Sequence, residues 1–212
     1  MPNWVQFAIL AIGFTLGVAL MGVQMATSRI LAPYFGGDIE VWASLIATVM
    51  LALMAGYFIG GRVADKFPRS DVLGLAVLIG GLYLLAVPYV ATPALDGMIE
   101  TLPPEAWNDK WTTRGLTLMA AAGIMLIPLS LLSFFSPYAV RLLLTDAAHG
   151  GRVAGAVYSI TTVGNIVGTL GTALYLMEVL GSRDTTVLFA SVIVVCGVAL
   201  IALRSRAAVR AS

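Results

Sequence analysis

The chain has 212 residues, of which 59% are hydrophobic and 11% are charged, and its mean hydropathy is +0.95. A water-soluble globular domain of this size does not carry such a composition, so lipid is the expected solvent for most of the protein. The net charge is +1, and the few charges lie where apolar stretches end, which leaves no basic surface for nucleic acid. The bilayer is therefore the expected partner, and nucleic acid is not.

Six apolar stretches reach the roughly 20 residues that a transmembrane helix needs. They run over residues 5–27, 42–61, 71–91, 115–137, 154–177 and 185–203. The sequence therefore predicts an all-α membrane protein, with one transmembrane domain over residues 1–212 built as a bundle of six helices. The first stretch has neither the basic start nor the cleavage site of a secretory signal, so we expect it to remain a span. Cys196, the single cysteine, lies in the last stretch and is expected to be a buried packing residue.

The arginines and lysines are divided unequally between the two faces of the predicted bundle. Eight follow the second, fourth and sixth spans, and four lie on the opposite side. Because short loops rich in these residues stay in the cytoplasm, both termini are expected to be cytoplasmic. The expected location is a multi-pass position in the cytoplasmic (inner) membrane of a bacterium.

The longest connection, residues 92–114, lies on the predicted outer side. Residues 95–102 place apolar side chains at helical spacing, and the Pro-Pro pair that follows would end such a helix. Trp107 and Trp111 are typical of the headgroup region. These features predict an amphipathic segment along the membrane surface, with a partner-binding lip as the alternative.

Glycines recur at close to four-residue spacing inside the second and fifth spans, and the first span carries a similar pair, Gly13 and Gly17. In the second and fifth spans they are Gly56, Gly60, Gly164, Gly168 and Gly171. Small residues let helix backbones approach closely in lipid, so these positions are predicted to pack helices into a compact bundle. A glycine stripe that lines a substrate path is the alternative.

Polar side chains at membrane depth are candidates for function, because each must find a partner there. Gln24 lies in the first span, and Asn165 lies in the fifth with Thr161 one turn before it. An interhelical hydrogen bond and a ligand contact are both open for Gln24 and Asn165. No charged residue lies at the centre of a span, which counts against a proton-coupled pump.

Motifs for catalysis or cofactor binding are absent from the sequence. It has no glycine-rich dinucleotide motif, no Walker loop, no His-Glu-x-x-His and no Cys-x-x-Cys. His149 is the only histidine and lies in a loop, so no metal site is expected. The sequence therefore predicts a protein that is not an enzyme and binds no cofactor.

The loop after the second span, Gly61-x-x-x-Asp65-Lys66-x-Pro68-Arg69, resembles the cytoplasmic loop between helices two and three of major facilitator transporters. Proline replaces the second glycine of that motif. Asp65 can accept hydrogen bonds near a helix end and can pair with Arg141, which would form a cytoplasmic latch between helices. The residues predicted to form this latch are Arg62, Asp65, Lys66, Arg69 and Arg141, and the alternative for the charged loop is a topological anchor alone.

A wider resemblance covers nearly the whole chain. Residues 28–36, 41–43 and 56–65 in the first half, and residues 136–141, 151–155, 158–165 and 181–183 in the second, are similar to the membrane domain of fused major-facilitator/spermidine-synthase proteins. Gln24 departs from the glutamate expected in many relatives. The aminopropyltransferase domain of that family is missing here, so the resemblance implies a membrane partner or anchor, with a catalytic part that could be encoded separately.

The resemblance also implies half of a major facilitator fold, in which spans one to three and spans four to six are inverted units. Three hypotheses for function follow. The first is a non-catalytic membrane subunit that docks an enzyme or a membrane complex through its basic inner loops or a glycine-rich helix face. The second is a half-size transporter that homodimerises around a polyamine or another small polar solute. The third is a structural or assembly subunit of a larger membrane complex.

Overall fold

A computed structural model describes residues 3–103, 107, 109–144 and 149–209, with side chains up to residue 203. Its regular elements in this part of the chain are all helical. They are α1 (Asn3–Phe35), α2 (Ile39–Lys66), α3 (Ser70–Thr101), α4 (Lys110–Ser133), α5 (Phe135–Leu143), α6 (Gly150–Gly171), a π-helical turn (Thr172–Leu176), α7 (Met177–Val179) and α8 (Gly181–Val209).

Six helices or helix runs in the described residues are long and apolar enough to cross a membrane, which confirms an all-α protein with six candidate spans. α4 and α5 together form the fourth span, and α6, the π-helical turn and α7 form the fifth. The helices extend beyond the predicted stretches, as α1 does by continuing to Phe35. Hydropathy marks only the part of a helix at hydrocarbon depth, whereas the backbone hydrogen bonds continue through the charged ends.

α3 corrects the prediction of a separate surface helix over residues 95–102. The third span continues without a break to Thr101, although it contains Pro88 and Pro93. It ends where Leu102 becomes extended, as the residue before a proline prefers. Beyond this end, Trp107 lies with its ring 6.2 Å from the ring of Phe35. The rest of the predicted segment between residues 104 and 108 falls outside the described residues.

The fourth span is interrupted at Phe134, between α4 and α5. Pro137 has no N–H to donate to the Ser133 carbonyl, and its ring crowds that carbonyl, so α4 ends at Ser133. At the break, the Phe134 N–H donates to the carbonyl of Leu131, three residues back, at 3.3 Å. A bond over three residues is shorter than the α-helical bond over four and tightens the last turn of α4.

Most of the predicted packing glycines lie at close helix contacts. A Cβ atom on Gly164 or Gly168 would overlap the backbone of α1 at Phe14 and Val18. A Cβ atom on Gly56 would overlap the Ser130 carbonyl of α4. A Cβ atom on Gly60 would come within 2.8 Å of the Phe134 Cα.

Gly171 is the exception, and its predicted role as a packing glycine is wrong. A Cβ atom there would meet no atom within 4 Å. Gly171 is the last residue of α6, directly before the π-helical turn, where the regular four-residue repeat ends.

The spans pack in a symmetric set of pairs. The first packs against the fifth, the second against the fourth, and the third against the sixth. Exchanging spans one, two and three with spans four, five and six returns the same pairs. Successive spans joined by short loops run antiparallel, so spans one and four point in opposite directions. The set of contacting pairs is therefore unchanged when the two halves are exchanged, which is the pairing that an inverted repeat requires.

Candidate functional site

A small cavity of about 60 Å³ lies between α1, α2, the α4–α5 junction and α6. Its polar lining residues are Tyr57, Ser133, Ser136, Thr161 and Asn165. Gly17 completes the α1 wall, where a Cβ atom would come within 3.1 Å of Asn165 Oδ1 and would overlap the Thr161 carbonyl. The missing side chain of Gly17 therefore lets α6 bring its polar residues against α1.

Some hydroxyls around the cavity are already used by their own helices. Thr161 Oγ1 donates to the Val157 carbonyl at 3.0 Å, and Ser133 Oγ donates to the Leu129 carbonyl at 2.6 Å. By contrast, within the part of the chain that the structure describes, the side-chain amide of Asn165 has no hydrogen-bond partner. An amide of this kind has two donors and one acceptor to offer, and the cavity is large enough for water. Asn165 is thus a polar group of this cavity that is free to bind a ligand.

The structure does not bring Gln24 to this cavity. Gln24 is 7% exposed in α1, one turn beyond the cavity residues Leu20 and Met21. Asn165 and Thr161 therefore share a site, and Gln24 lies apart from it. Tyr57 and Ser136 were not among the candidates from sequence. The signal that could have found them is a hydroxyl group within an apolar span, which both positions carry.

At the end of the bundle where α2 passes to α3, two of the predicted latch residues approach each other. Arg141 Nε lies 3.5 Å from Asp65 Oδ1, which joins α5 to α2. Both side chains are largely exposed, so the pair is screened by water and is worth little in stability.

The other predicted latch residues do not join that pair. Arg62 stacks over the Phe58 ring at 3.5 Å, and Lys66 Nζ lies 5.3 Å from the centroid of the Phe67 ring. Arg69 forms two parallel hydrogen bonds to Asp71, at 2.8 and 3.1 Å. The loop between α2 and α3 is therefore a set of local contacts, with one link between helices at this end of the bundle.

The opposite end of the bundle has stronger links between helices that the sequence did not reveal. Arg114 donates to Glu40 at 2.7 Å, and Tyr34 donates to Asp96 at 2.9 Å. These pairs are 74 and 62 residues apart along the chain. Nothing in the local sequence pattern connects such distant positions, so only the packing of α1 to α4 shows them.

The fifth span leaves one side uncovered. In its most apolar window 17% of residues are buried, and in that of the second span 33%, against 39–44% for the other four. Exposed side chains on α6 follow a helical repeat, and they are Ser159, Thr162, Val163, Ile166, Val167 and Leu170. We call these six residues the α6 stripe. Tyr57 of α2 and Asn165 of α6 line one cavity, so the least covered spans flank the polar site.

The chain matches no family model, no curated protein and no solved structure. No group of three or more histidine, cysteine or acidic side chains that could hold a metal ion occurs among the described residues.

Proposed function

We propose that this chain is a non-catalytic membrane subunit that docks another membrane protein against the uncovered side of spans two and five. The observation that carries the proposal is the α6 stripe, because the fifth span is the least buried of the six and still presents hydroxyl groups of Ser159 and Thr162 outwards. Polar groups at membrane depth are costly unless a protein partner meets them.

The positions of the packing glycines indicate which surfaces a docking partner would contact. Gly56, Gly60, Gly164 and Gly168 are used within the bundle, so they leave no glycine-rich face for a partner. The exposed cations Arg62, Lys66 and Arg152 remain available at the inner loops. Docking would then combine the α6 stripe in the membrane with a basic surface beside it.

The resemblance to fused major-facilitator/spermidine-synthase proteins supports the same proposal. In that family the membrane part belongs to a larger protein, and the symmetric span pairs here fit half of a facilitator fold. A separately encoded aminopropyltransferase-like enzyme is then one expected partner, and a larger membrane complex, with this chain as an assembly subunit, is another.

The test is purification in mild detergent from the native membrane, followed by mass spectrometry of the chains that co-purify and the native mass of the complex. Val163→Trp changes the α6 stripe at a residue that is 49% exposed. Val198→Trp is the control, because it makes the same change on α8 at a residue that is 53% exposed. A stoichiometric partner that is lost only in Val163→Trp is the expected result. A wild-type protein that purifies as a monomer without other chains would overturn the proposal.

A half-size transporter that acts as a homodimer is a second proposal, favoured by the unpartnered amide of Asn165. A cavity of 60 Å³ holds a few waters and no polyamine, so a solute site would need a second copy to complete it. The same native mass would then show a dimer. Uptake of polyamines into proteoliposomes, lost in Asn165→Leu and kept in Val198→Trp, is the expected result.

A further inference from the structure

An open pocket of about 300 Å³ lies at the end of the bundle away from the Asp65–Arg141 pair. Three segments form it: the last turns of α1, the π-helical turn with α7, and the start of α8. The lining residues are Arg29, Ala173, Met177, Glu178, Gly181 and Ser182. It is separate from the polar cavity, with which it shares no lining residue.

The pocket carries one positive and one negative side chain that do not neutralise each other. Within the described part of the chain, neither Arg29 nor Glu178 has an ion-pair or hydrogen-bond partner. Elsewhere at this end of the bundle, Arg114 and Glu40 meet at 2.7 Å. Arg29 and Glu178 therefore line one pocket without forming an ion pair, so both charges are open to a ligand.

Two local backbone features lie beside Glu178 in this pocket. The π-helical turn changes the register of the fifth span just before Glu178, and such turns are frequent at functional sites. Gly181 has a φ of 72°, which a glycine adopts without strain, and it turns the chain sharply from α7 into α8. Arg29 lines the same pocket from α1.

The pocket lies where apolar sequence gives way to charge. Arg29 and Glu178 come directly after the apolar stretches 5–27 and 154–177, so both mark the level at which the hydrocarbon ends. Ala173 and Met177 give the pocket an apolar side, and the neighbouring Leu174 and Tyr175 are 70% and 67% exposed. A ligand that fits is charged at one end and apolar at the other.

We propose that this pocket binds the headgroup of a zwitterionic phospholipid of the ethanolamine type. Its phosphate would accept hydrogen bonds from the Arg29 guanidinium, and its ammonium would donate to the Glu178 carboxylate. The acyl chains would run along the exposed apolar side chains of the fifth span. The inference does not depend on the proposed function, since it concerns this chain alone in a bilayer.

The experiment measures lipid binding to the purified protein by native mass spectrometry, with phosphatidylethanolamine and phosphatidylglycerol of identical acyl chains. Wild-type protein is expected to prefer phosphatidylethanolamine. Glu178→Gln is expected to weaken phosphatidylethanolamine binding about tenfold and to leave phosphatidylglycerol binding unchanged, because only the former has an ammonium group. Arg29→Ala is expected to weaken both lipids, because both have a phosphate.

Arg183→Ala is the matched control. Arg183 lies at the start of α8, directly after the pocket residue Ser182, but it stacks over the Tyr89 ring and does not line the pocket. It is expected to bind both lipids as the wild type does. Equal binding of the two lipids by the wild type, or an unchanged preference in Glu178→Gln, would overturn the proposal. Soluble phosphoethanolamine that binds as tightly as the lipid would overturn the assignment to a membrane lipid. If Arg29→Ala fails to fold, the lipid preference of the wild type and the effect of Glu178→Gln still test the proposal.

Discussion

The third and sixth spans pack closely against each other, and 44% and 39% of the residues in their most apolar windows are buried, whereas in the fifth span 17% are buried. A Cβ atom on Gly74 of α3 would come within 2.8 Å of the Gly197 carbonyl oxygen of α8, and one on Gly197 would come within 2.7 Å of the Leu78 N. α6 uses Gly164 and Gly168 in the same way against α1. Its opposite side remains the exposed α6 stripe.

The difference shows what small residues and large apolar residues do in this bundle. Gly74, Gly164, Gly168 and Gly197 mark sides on which helices of the same chain touch, because there the backbones themselves are in contact. Exposed Val, Ile and Leu mark the sides that meet lipid or another protein. α6 carries both packing glycines and exposed apolar residues, so one of its sides packs within the bundle and the other is exposed.

Gly168→Leu should have the largest effect, because it strikes the side of α6 that is packed against α1. The new side chain would meet the Val18 backbone, which cannot move aside as a flexible side chain can, and overpacking of this kind costs about 1–3 kcal/mol or more. We expect loss of monodisperse protein in size-exclusion chromatography and a lower melting temperature.

Gly171→Leu is the matched control for that change, since the same substitution three residues later meets open space. Its elution and melting temperature should equal those of the wild type. If Gly171→Leu were as damaging as Gly168→Leu, helix propensity or lipid contact would outweigh packing, and the contrast between the two sides of α6 would be lost.

Asn165→Leu should have a moderate effect in the stabilising direction. The substitution removes an amide without a protein partner and adds apolar volume beside Gly17 and Thr161, so stability should rise by about 1 kcal/mol. The measurement is thermal unfolding in detergent. A clear decrease in stability would mean that the amide has a partner in the bilayer, such as an ordered water.

Breaking the Asp65–Arg141 pair should have a small effect. Both side chains are exposed, and exposed pairs contribute about 0.2–1 kcal/mol before screening by salt. A double-mutant cycle with Asp65→Asn and Arg141→Gln should give a coupling energy at the lower end of that range. A coupling energy well above it would support a latch that holds the C-terminal end of α2 and α5 together.

The elements that could be predicted from sequence are those set by composition and local periodicity. Hydropathy is enough to place six spans, and four-residue spacing is enough to find Gly56, Gly60, Gly164 and Gly168. Spacing fails at Gly171, because the π-helical turn that follows leaves no trace in the pattern. The free amide of Asn165 could not be predicted either, since it depends on which side of α1 lies opposite and on what Gly17 leaves empty.

The two acidic residues before α2 and α4 give the smallest predicted effect. Asp109 precedes α4 and accepts a hydrogen bond from the Thr112 N–H at 2.9 Å, whereas Asp38 stands at the same position before α2 without such a bond. Hydrogen bonds from the Thr112 hydroxyl and N–H lower the pKa of Asp109 from its ordinary value of 3.8.

The sign of the resulting pH dependence follows from that lowered pKa. The contribution of Asp109 to stability is complete above the unfolded-state pKa and is lost as the pH falls through the lower folded-state pKa. The melting temperature of the wild type should therefore fall as the pH drops through the unfolded-state pKa of about 4 and below it, and Asp109→Asn should reduce this dependence. Asp38→Asn should leave it unchanged, because Asp38 makes no capping bond to lose. An equal change in both variants would mean that general charge, not the capping bond, controls the start of these helices.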